Sequence, residues 1–314
     1  MILVRALEGI PADLGATAVA IGKFDGLHAG HRQVVATLLE DAAERGLAPV
    51  VLTFDRNPLA VLDPSRCPPD LVSLDQKLEL LAGTGVAATV VLPFTDEFAH
   101  VPPDEFVRQV LVEALSARLV LVGSDFRFGA RGSGDTRMLE ELGRSSGFEV
   151  RIVEDVLQDG KRASSSRIRR LMTDGDVAAA ARLLGRDPSM RGTIVHGLKR
   201  GREMGYPTAN LAADSEGLAP AHGVYAGWLV DFSVPGTPRY PAAISVGTNP
   251  TFDDVEVTQV EAYVLDADLD LYGHLVEVQF TKRLRGMVAY TGIGPLIEQM
   301  ALDVEEARRV LASS

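Results

Sequence analysis

Apolar and polar positions along the chain follow two rules, and the change between them falls past the middle. In the first part, apolar runs at 17–22, 48–54, 87–92, 118–122 and 148–153 show little alternation. That is the pattern of strands buried on both faces of a parallel sheet. Helical spacing fills the gaps over Arg32–Arg45, Leu74–Ala82, Asp104–Leu115 and Thr136–Ser146, and Pro102-Pro103-Asp104-Glu105 is a helix-start signal. Strand–helix alternation of this kind predicts a doubly wound α/β domain whose ligands lie beyond the carboxyl ends of the strands. After Arg186-Asp187-Pro188 the period drops to two, in short segments at 191–196, 224–232, 240–246, 259–265 and 274–283. Val276, Val278 and Phe280 alternate with Glu277 and Gln279, and Val234-Pro235-Gly236-Thr237-Pro238 marks a turn. From Gly294 onward, Leu296, Met300, Val304, Ala307 and Leu311 form one helical stripe. The prediction is an α/β domain over residues 1–186, then a small antiparallel β-barrel with a C-terminal helix over 187–314.

Composition narrows the function. A chain of 314 residues is long enough for two cores, and 46% hydrophobic with 24% charged residues is a globular balance. A formal net charge of −12 argues against general nucleic-acid binding. A phosphate-bearing substrate therefore needs local cations or backbone donors. Lys199-Arg200-Gly201-Arg202 and Arg167-Ile168-Arg169-Arg170 offer such cations, although each reads equally as a solvated basic turn or helix end. The single cysteine, Cys67, excludes an internal disulfide and fits a reducing compartment. No signal-peptide pattern or bilayer-length apolar run is present, so a cytoplasmic protein without a membrane partner is expected. Self-association is left open.

The densest chemistry lies in Gly22-Lys23-Phe24-Asp25-Gly26-Leu27-His28-Ala29-Gly30-His31, between the first apolar run and a helix. Glycines there let backbone approach a ligand, and a helix N-terminus favours phosphate. His28 and His31 can donate hydrogen bonds to oxygens that gain charge during phosphoryl or nucleotidyl transfer. The bland alternative is a capped helix start. Zinc is disfavoured, because no third ligand lies near. Three further tracts accompany this turn: Thr53-Phe54-Asp55-Arg56-Asn57-Pro58, Val122-Gly123-Ser124-Asp125-Phe126-Arg127-Phe128-Gly129 and Ala163-Ser164-Ser165-Ser166-Arg167-Ile168-Arg169. Hydroxyls, amides and Arg169 of the last tract make an anion cradle or, more plainly, an ordinary serine cap.

In this order the four tracts resemble the nucleotidyltransferase module of the prokaryotic bifunctional riboflavin kinase/FAD synthetase family. The second half is similar to its flavokinase module through Gly205-Tyr206-Pro207-Thr208-Ala209-Asn210-Leu211 and Gly223-Val224-Tyr225-Ala226-Gly227. Ile244-Ser245-Val246-Gly247-Thr248-Asn249-Pro250-Thr251-Phe252, Val260-Glu261-Ala262-Tyr263-Val264-Leu265-Asp266 and Leu271-Tyr272-Gly273 extend the match over nearly the whole chain. Asn57 and Tyr263 stand where the family commonly has His, Ser166 where it has Thr, and Tyr206 where it has Phe.

The resemblance implies two ATP-dependent steps assisted by Mg²⁺. Riboflavin becomes FMN with release of ADP, and FMN becomes FAD with release of pyrophosphate. It implies Glu261 as the base of the kinase step, with Thr208 and Asn210 as hard-oxygen ligands for the metal. The loop carrying Lys199 and Arg202 would cover the ATP phosphates. For adenylyl transfer it implies His28 and His31 on the phosphates, Gly22, Phe24 and Asp25 binding ATP and its phosphates, and Asp125 helping to place nucleotide or flavin. Ser164, Ser165, Ser166 and Arg169 would hold pyrophosphate. A different acceptor for the His-x-x-His chemistry, or a flavin-binding protein without turnover, are the competing readings.

Overall fold

The computed structural model describes residues 1–197, 205–250, 256–267 and 269–313. They pack as two compact units, Met1–Pro69 with Leu74–Ser164, and Asp70–Ser73 with Ser165–Ser314. Each is described by itself.

The first unit is built on a six-stranded, all-parallel sheet. Its strands are β1 (Ile2–Val4), β2 (Thr17–Ile21), β3 (Ala48–Phe54), β4 (Ala88–Leu92), β5 (Ala117–Gly123) and β6 (Glu149–Val153), in the order β1-β4-β3-β2-β5-β6. Every residue of β2 is buried because both faces of the sheet are covered. Ala18 and Ala20 face α1 (Ala29–Arg45), where they meet Val35, Leu38 and Ala42. Val19 and Ile21 face the opposite core, with Val107, Val110, Leu111 and Leu139. One strand thus feeds two cores, and this removes the polar alternation from its sequence. β2 lies between β3 and β5, and the chain continues to β3 on one side while β5 enters on the other. Its carboxyl end is the topological switch point, where an open α/β sheet forms a crevice.

Two elements depart from expectation. β1, which the hydrophobic runs did not mark, adds an edge strand beside β4. The helix read at Asp104–Leu115 starts as a turn of α-helix at Pro103–Phe106 and continues as a π-helix over Val107–Ala114. Leu115 N–H accordingly bonds the Val110 carbonyl at 3.1 Å, five residues back. The remaining expected helices stand where their spacing put them. The helix Leu74–Ala82 matches its reading residue for residue, as does Thr136–Ser146, whose start is fixed by Asp135 accepting from Met138 N–H at 2.9 Å.

In the second unit, helices Ser165–Asp174 and Val177–Leu184 precede a closed barrel. The chain therefore changes packing unit at Ser164/Ser165, whereas its hydrophobic period changes at 186/187, just before the first barrel strand. We number the barrel strands onward from a two-residue pair in the first unit, β7 (Leu157–Gln158) and β8 (Lys161–Arg162). They are β9 (Ser189–Val195), β10 (Ala209–Leu211), β11 (Gly223–Asp231), β12 (Arg239–Pro250), β13 (Glu256–Val264) and β14 (Leu275–Arg285). They close antiparallel in the order β10-β13-β12-β11-β14-β9. Tyr225 and Phe280 meet at 5.6 Å between centroids in its interior, with Ile244, Val246, Ala262, Val276 and Val278 fully enclosed. Gly227 is obligatory, since a Cβ there would stand 1.9 Å from the Gln279 carbonyl oxygen.

The C-terminal helix Ile293–Ala312 covers part of the outer wall through Ala307, Val310 and Leu311 against Ala226, Ala243 and Leu265. Arg285 grips its Asp303 with contacts of 2.7–3.1 Å. Beside this patch Trp228 packs with the same cluster and carries the Arg239 guanidinium 4.0 Å from its ring.

Candidate active sites

The histidine turn sits at the carboxyl end of β2, at the switch point. Its backbone is unusual: Phe24 (φ 50°), Gly26 (φ 79°) and Leu27 (φ 43°) all occupy the left-handed region. Non-glycine residues hold that conformation at a cost, repaid here by packing. Phe24 is 1% exposed and its ring lies 5.3 Å from that of His31. Its side chain is thus a floor for the histidines, and only its backbone remains for a phosphate. Gly22 N–H is tied to the Leu52 carbonyl at 3.1 Å, and a Cβ on Gly22 would press on Phe24 at 3.1 Å. Asp25 opens the short 3₁₀ turn that ends at Leu27.

His28 occupies the N-cap position of α1 without capping it by its side chain. Its ring stacks on His31 at 3.7 Å between centroids. Gly30 permits this, because a Cβ there would meet the His28 ring at 3.2 Å and the Ala163 carbonyl at 3.4 Å. Burial drives the His31 pKa well below the usual histidine value, and His28, Lys23, Lys77 and Arg162 push it further in the same direction. The neutral ring is therefore favoured, with Lys23, Lys77 and Arg162 close enough to act on it.

Two of those cations were not singled out from the sequence. Lys77 Nζ bonds the Phe54 carbonyl at 2.8 Å, and its position on the Leu74, Leu78 and Leu81 stripe is the signal that betrays it. Arg162 pairs with Asp125 and Asp155, both at 3.0 Å. The Arg162 hydrogen bond holds the Asp125 carboxyl below its ordinary value. Asp125 is thus held by its partner at the edge of the site. Asn57 accepts from Leu59 N–H at 3.1 Å, closing a local turn just ahead of the short helix Leu59–Leu62, which gives this departure from the family pattern a local role. Beside the turn, Phe54, Phe94, Phe98, Phe106, Phe128 and Phe126 form an unbroken chain of ring contacts. They are six of the eleven phenylalanines, and that concentration between 54 and 128 was visible in the sequence.

Ser164 closes the first unit, while Ser165, Ser166 and Arg169 lie in the first turns of helix Ser165–Asp174 in the second.

On the barrel, Asn210 of β10 stands directly across from Glu261 of β13. Val260, Ala262 and Val264 point inward, so Gln259, Glu261 and Tyr263 share the outer face. Thr208 Oγ1 donates to Glu261 Oε2 at 3.3 Å. Asn210 Nδ2 donates to the Thr208 carbonyl at 3.2 Å, and Asn210 Oδ1 accepts from Gln259 Nε2 at 2.7 Å. Burial pushes the Glu261 carboxyl up, against the opposing pull of the Thr208 hydroxyl. A raised carboxyl in a hydrogen-bonded recess is suited to accept a proton. Tyr263 meets Tyr206 edge-on at 5.2 Å, so both departures from the family pattern pack together.

Thr208 Oγ1 keeps a lone pair after giving its proton to Glu261 and accepting a long bond of 3.5 Å from Asn210 Nδ2, and Asn210 Oδ1 keeps one. These hard oxygens fit a cation that also takes phosphate oxygens and water. Among the described residues no group of three or more His, Cys, Asp or Glu side chains could hold a metal without such help. Lys199 and Arg202 lie outside the described residues.

The two sites have separate counterparts among known proteins. A family model for FAD synthetase matches residues 10–167, and one for riboflavin kinase matches 184–311. A protein of Listeria monocytogenes named bifunctional riboflavin kinase/FMN adenylyltransferase is 36% identical over 94% of this chain and 92% of its own. The chain belongs to the bifunctional riboflavin kinase/FMN adenylyltransferase family. Members from Escherichia coli and Bacillus subtilis are each 33% identical, over 98% and 95% of this chain. The fold also matches a solved structure described as a macrolide-efflux protein from Streptococcus pneumoniae, with a TM-score of 0.86 and 32% identity over 98% of both chains. Among the described residues no helix is long and apolar enough to cross a membrane.

Proposed function

We propose that the chain carries out both steps of flavin cofactor synthesis, each in its own module, with the catalytic roles assigned below. The barrel phosphorylates riboflavin with ATP to give FMN and ADP. The α/β module transfers AMP from a second ATP to FMN, giving FAD and pyrophosphate. The observation that carries this reading is the pairing, in one chain, of a cation-ringed histidine turn at a switch point with a Thr208–Glu261–Asn210 cluster on a barrel wall.

In the kinase step Glu261 takes the proton of the riboflavin 5′-hydroxyl as the oxygen attacks the γ-phosphorus of ATP. Thr208 orients the carboxylate through its hydrogen bond. Families of this kind work with a divalent metal; we assign Mg²⁺, held by Thr208 Oγ1 and Asn210 Oδ1 together with ATP. When bound it neutralises phosphate charge. Lys199 and Arg202 are assigned to the phosphates on sequence grounds.

Adenylyl transfer needs little from the protein beyond positioning and charge stabilisation, since the FMN phosphate is already a nucleophile. His28 and His31 donate to the ATP phosphates at the helix N-terminus, within the field of Lys23, Lys77 and Arg162. Ser164, Ser165, Ser166 and Arg169 are assigned to the departing pyrophosphate, and Asp125 with Asp25 to nucleotide placement. The phenylalanine chain offers the isoalloxazine ring an apolar wall. We assign the enzyme to the cytoplasm.

The deciding experiment incubates the protein with riboflavin, Mg²⁺ and ATP and separates the flavins over time. FMN followed by FAD is expected. FMN alone would remove the adenylyl-transfer assignment, and no conversion would remove both.

A further inference from the structure

We propose that Gln259 is a positioning residue for the kinase step: it fixes which end of the Asn210 carboxamide carries the oxygen, and so keeps Oδ1 available to the cation of the bound nucleotide. This rests on the kinase reading above.

A carboxamide is nearly symmetric in shape, so its orientation is set by hydrogen bonds alone. Asn210 has three such constraints, the weakest a bond from Nδ2 to Thr208 Oγ1 at 3.5 Å. Its Nδ2 donates to the Thr208 carbonyl at 3.2 Å, and its Oδ1 accepts from Gln259 Nε2 at 2.7 Å. The Thr208 carbonyl can only accept, so a turned amide would set oxygen against oxygen there. The bond from Gln259 is the shorter and is the one that engages the ligating atom directly.

Rotation of the side chain is blocked on another side by Gly197. A Cβ on that residue would stand 2.5 Å from Asn210 Oδ1. The backbone thus closes on an amide that can turn over but not swing away. Asn210 is buried, 6% exposed, so an unmade bond to its oxygen is not replaced by bulk water.

Gln259 lies two residues from Glu261 on the same outward row, yet the base takes its hydrogen bond from Thr208 instead. The two neighbours on β13 therefore have separable duties. Loss of Gln259 should weaken the nucleotide–metal complex and leave proton acceptance by Glu261 unchanged.

The test uses the full chain as Gln259→Met and Gln259→Leu, which keep bulk and remove the donor. Calorimetric titration with Mg–ADP should show binding weakened about tenfold in both, as loss of one buried hydrogen bond implies. The KM for Mg–ATP in FMN formation should rise by a similar factor. The riboflavin KM and the acid limb of the pH profile should stay as in the parent. In an Asn210→Ala background, Gln259→Met should add less than a twofold change, because the partner is gone. Mg–ADP binding within twofold of the parent in both single variants overturns the proposal. So does an undiminished effect in the Asn210→Ala background. Failure of the kinase reading looks different: the parent chain then forms no FMN, while Mg–ADP affinity still ranks the variants.

Discussion

On the assignments proposed above, the two sites hold ATP phosphates in an acidic protein by opposite means. In the α/β module the site is a turn. Its residues are consecutive, its backbone is strained at Phe24 and Leu27, and its cations come from the turn itself (Lys23), a helix (Lys77) and strand β8 (Arg162). In the barrel the site is a strand face. Its residues lie far apart in sequence, its strand backbone is regular, and a chain of side-chain hydrogen bonds from Gln259 through Asn210 and Thr208 to Glu261 sets its geometry. The first stores positive potential before any ligand comes. The second presents oxygens and a carboxylate, and under the proposed assignment takes its cation with the nucleotide. Charge in one site is built in; in the other it is imported.

That contrast can be broken most severely by exchanging which activity is lost. His28→Ala or His31→Ala should lower FAD formation from FMN by roughly 10²–10³, as removal of one preorganised donor does, with FMN formation retained. Glu261→Gln should lower FMN formation by roughly 10²–10⁴ with FAD formation retained. Chromatography of both reactions on one preparation reads each pair, and a variant that loses both activities equally would deny the separation.

A smaller effect is expected at Lys77. Lys77→Met removes a cation beside His31 and the bond to the Phe54 carbonyl, and should raise the ATP KM of adenylyl transfer about tenfold without touching the kinase. The pH dependences should also diverge. Glu261 is raised, so FMN formation must fall on acidification with a limb above the ordinary glutamate range. Thr208→Val removes the lowering hydrogen bond and should shift the residual activity's limb further up. His31 is lowered, so the folded state favours its neutral form. The stability it contributes is complete above about pH 6.5, its unfolded value, and is lost as pH falls through the lower folded value. Thermal melts of His31→Gln should show a flatter acid decline.

The smallest change belongs to the exposed Arg45–Glu149 pair, 2.6 Å apart with side chains 38% and 59% exposed. Arg45→Gln should cost at most about 1 kcal/mol in a denaturant titration and alter neither activity.

What the sequence disclosed follows the same contrast. β2 through β6 and their helices were legible because burial on both faces leaves unbroken apolar runs, and the histidine turn because its glycines and ligating groups must be adjacent. β1 and β10 were not legible, being three residues each, too short for any period to show. The consequence is greater for β10, because it carries Asn210 and its register decides that Asn210 faces Glu261. Thr208, Asn210 and Glu261 were found through the family pattern alone. The hydrogen bonds that join Gln259 to Asn210 and Thr208 to Glu261 span 49 and 53 positions of the chain, which no local spacing reveals. Lys77 and Arg162 were missed for a related reason. A cation acquires its meaning from the loop it reaches, and that loop is remote in sequence.

Trp228 is the one tryptophan of the chain, and it lies on the barrel wall under the Arg239 guanidinium. Light at the red edge of the protein absorption band therefore excites the second unit and leaves the first dark. Emission from this residue follows the unfolding of the barrel by itself, with the α/β module read against it by circular dichroism. The chain carries its own single-channel reporter, placed where the two halves can be told apart without a label.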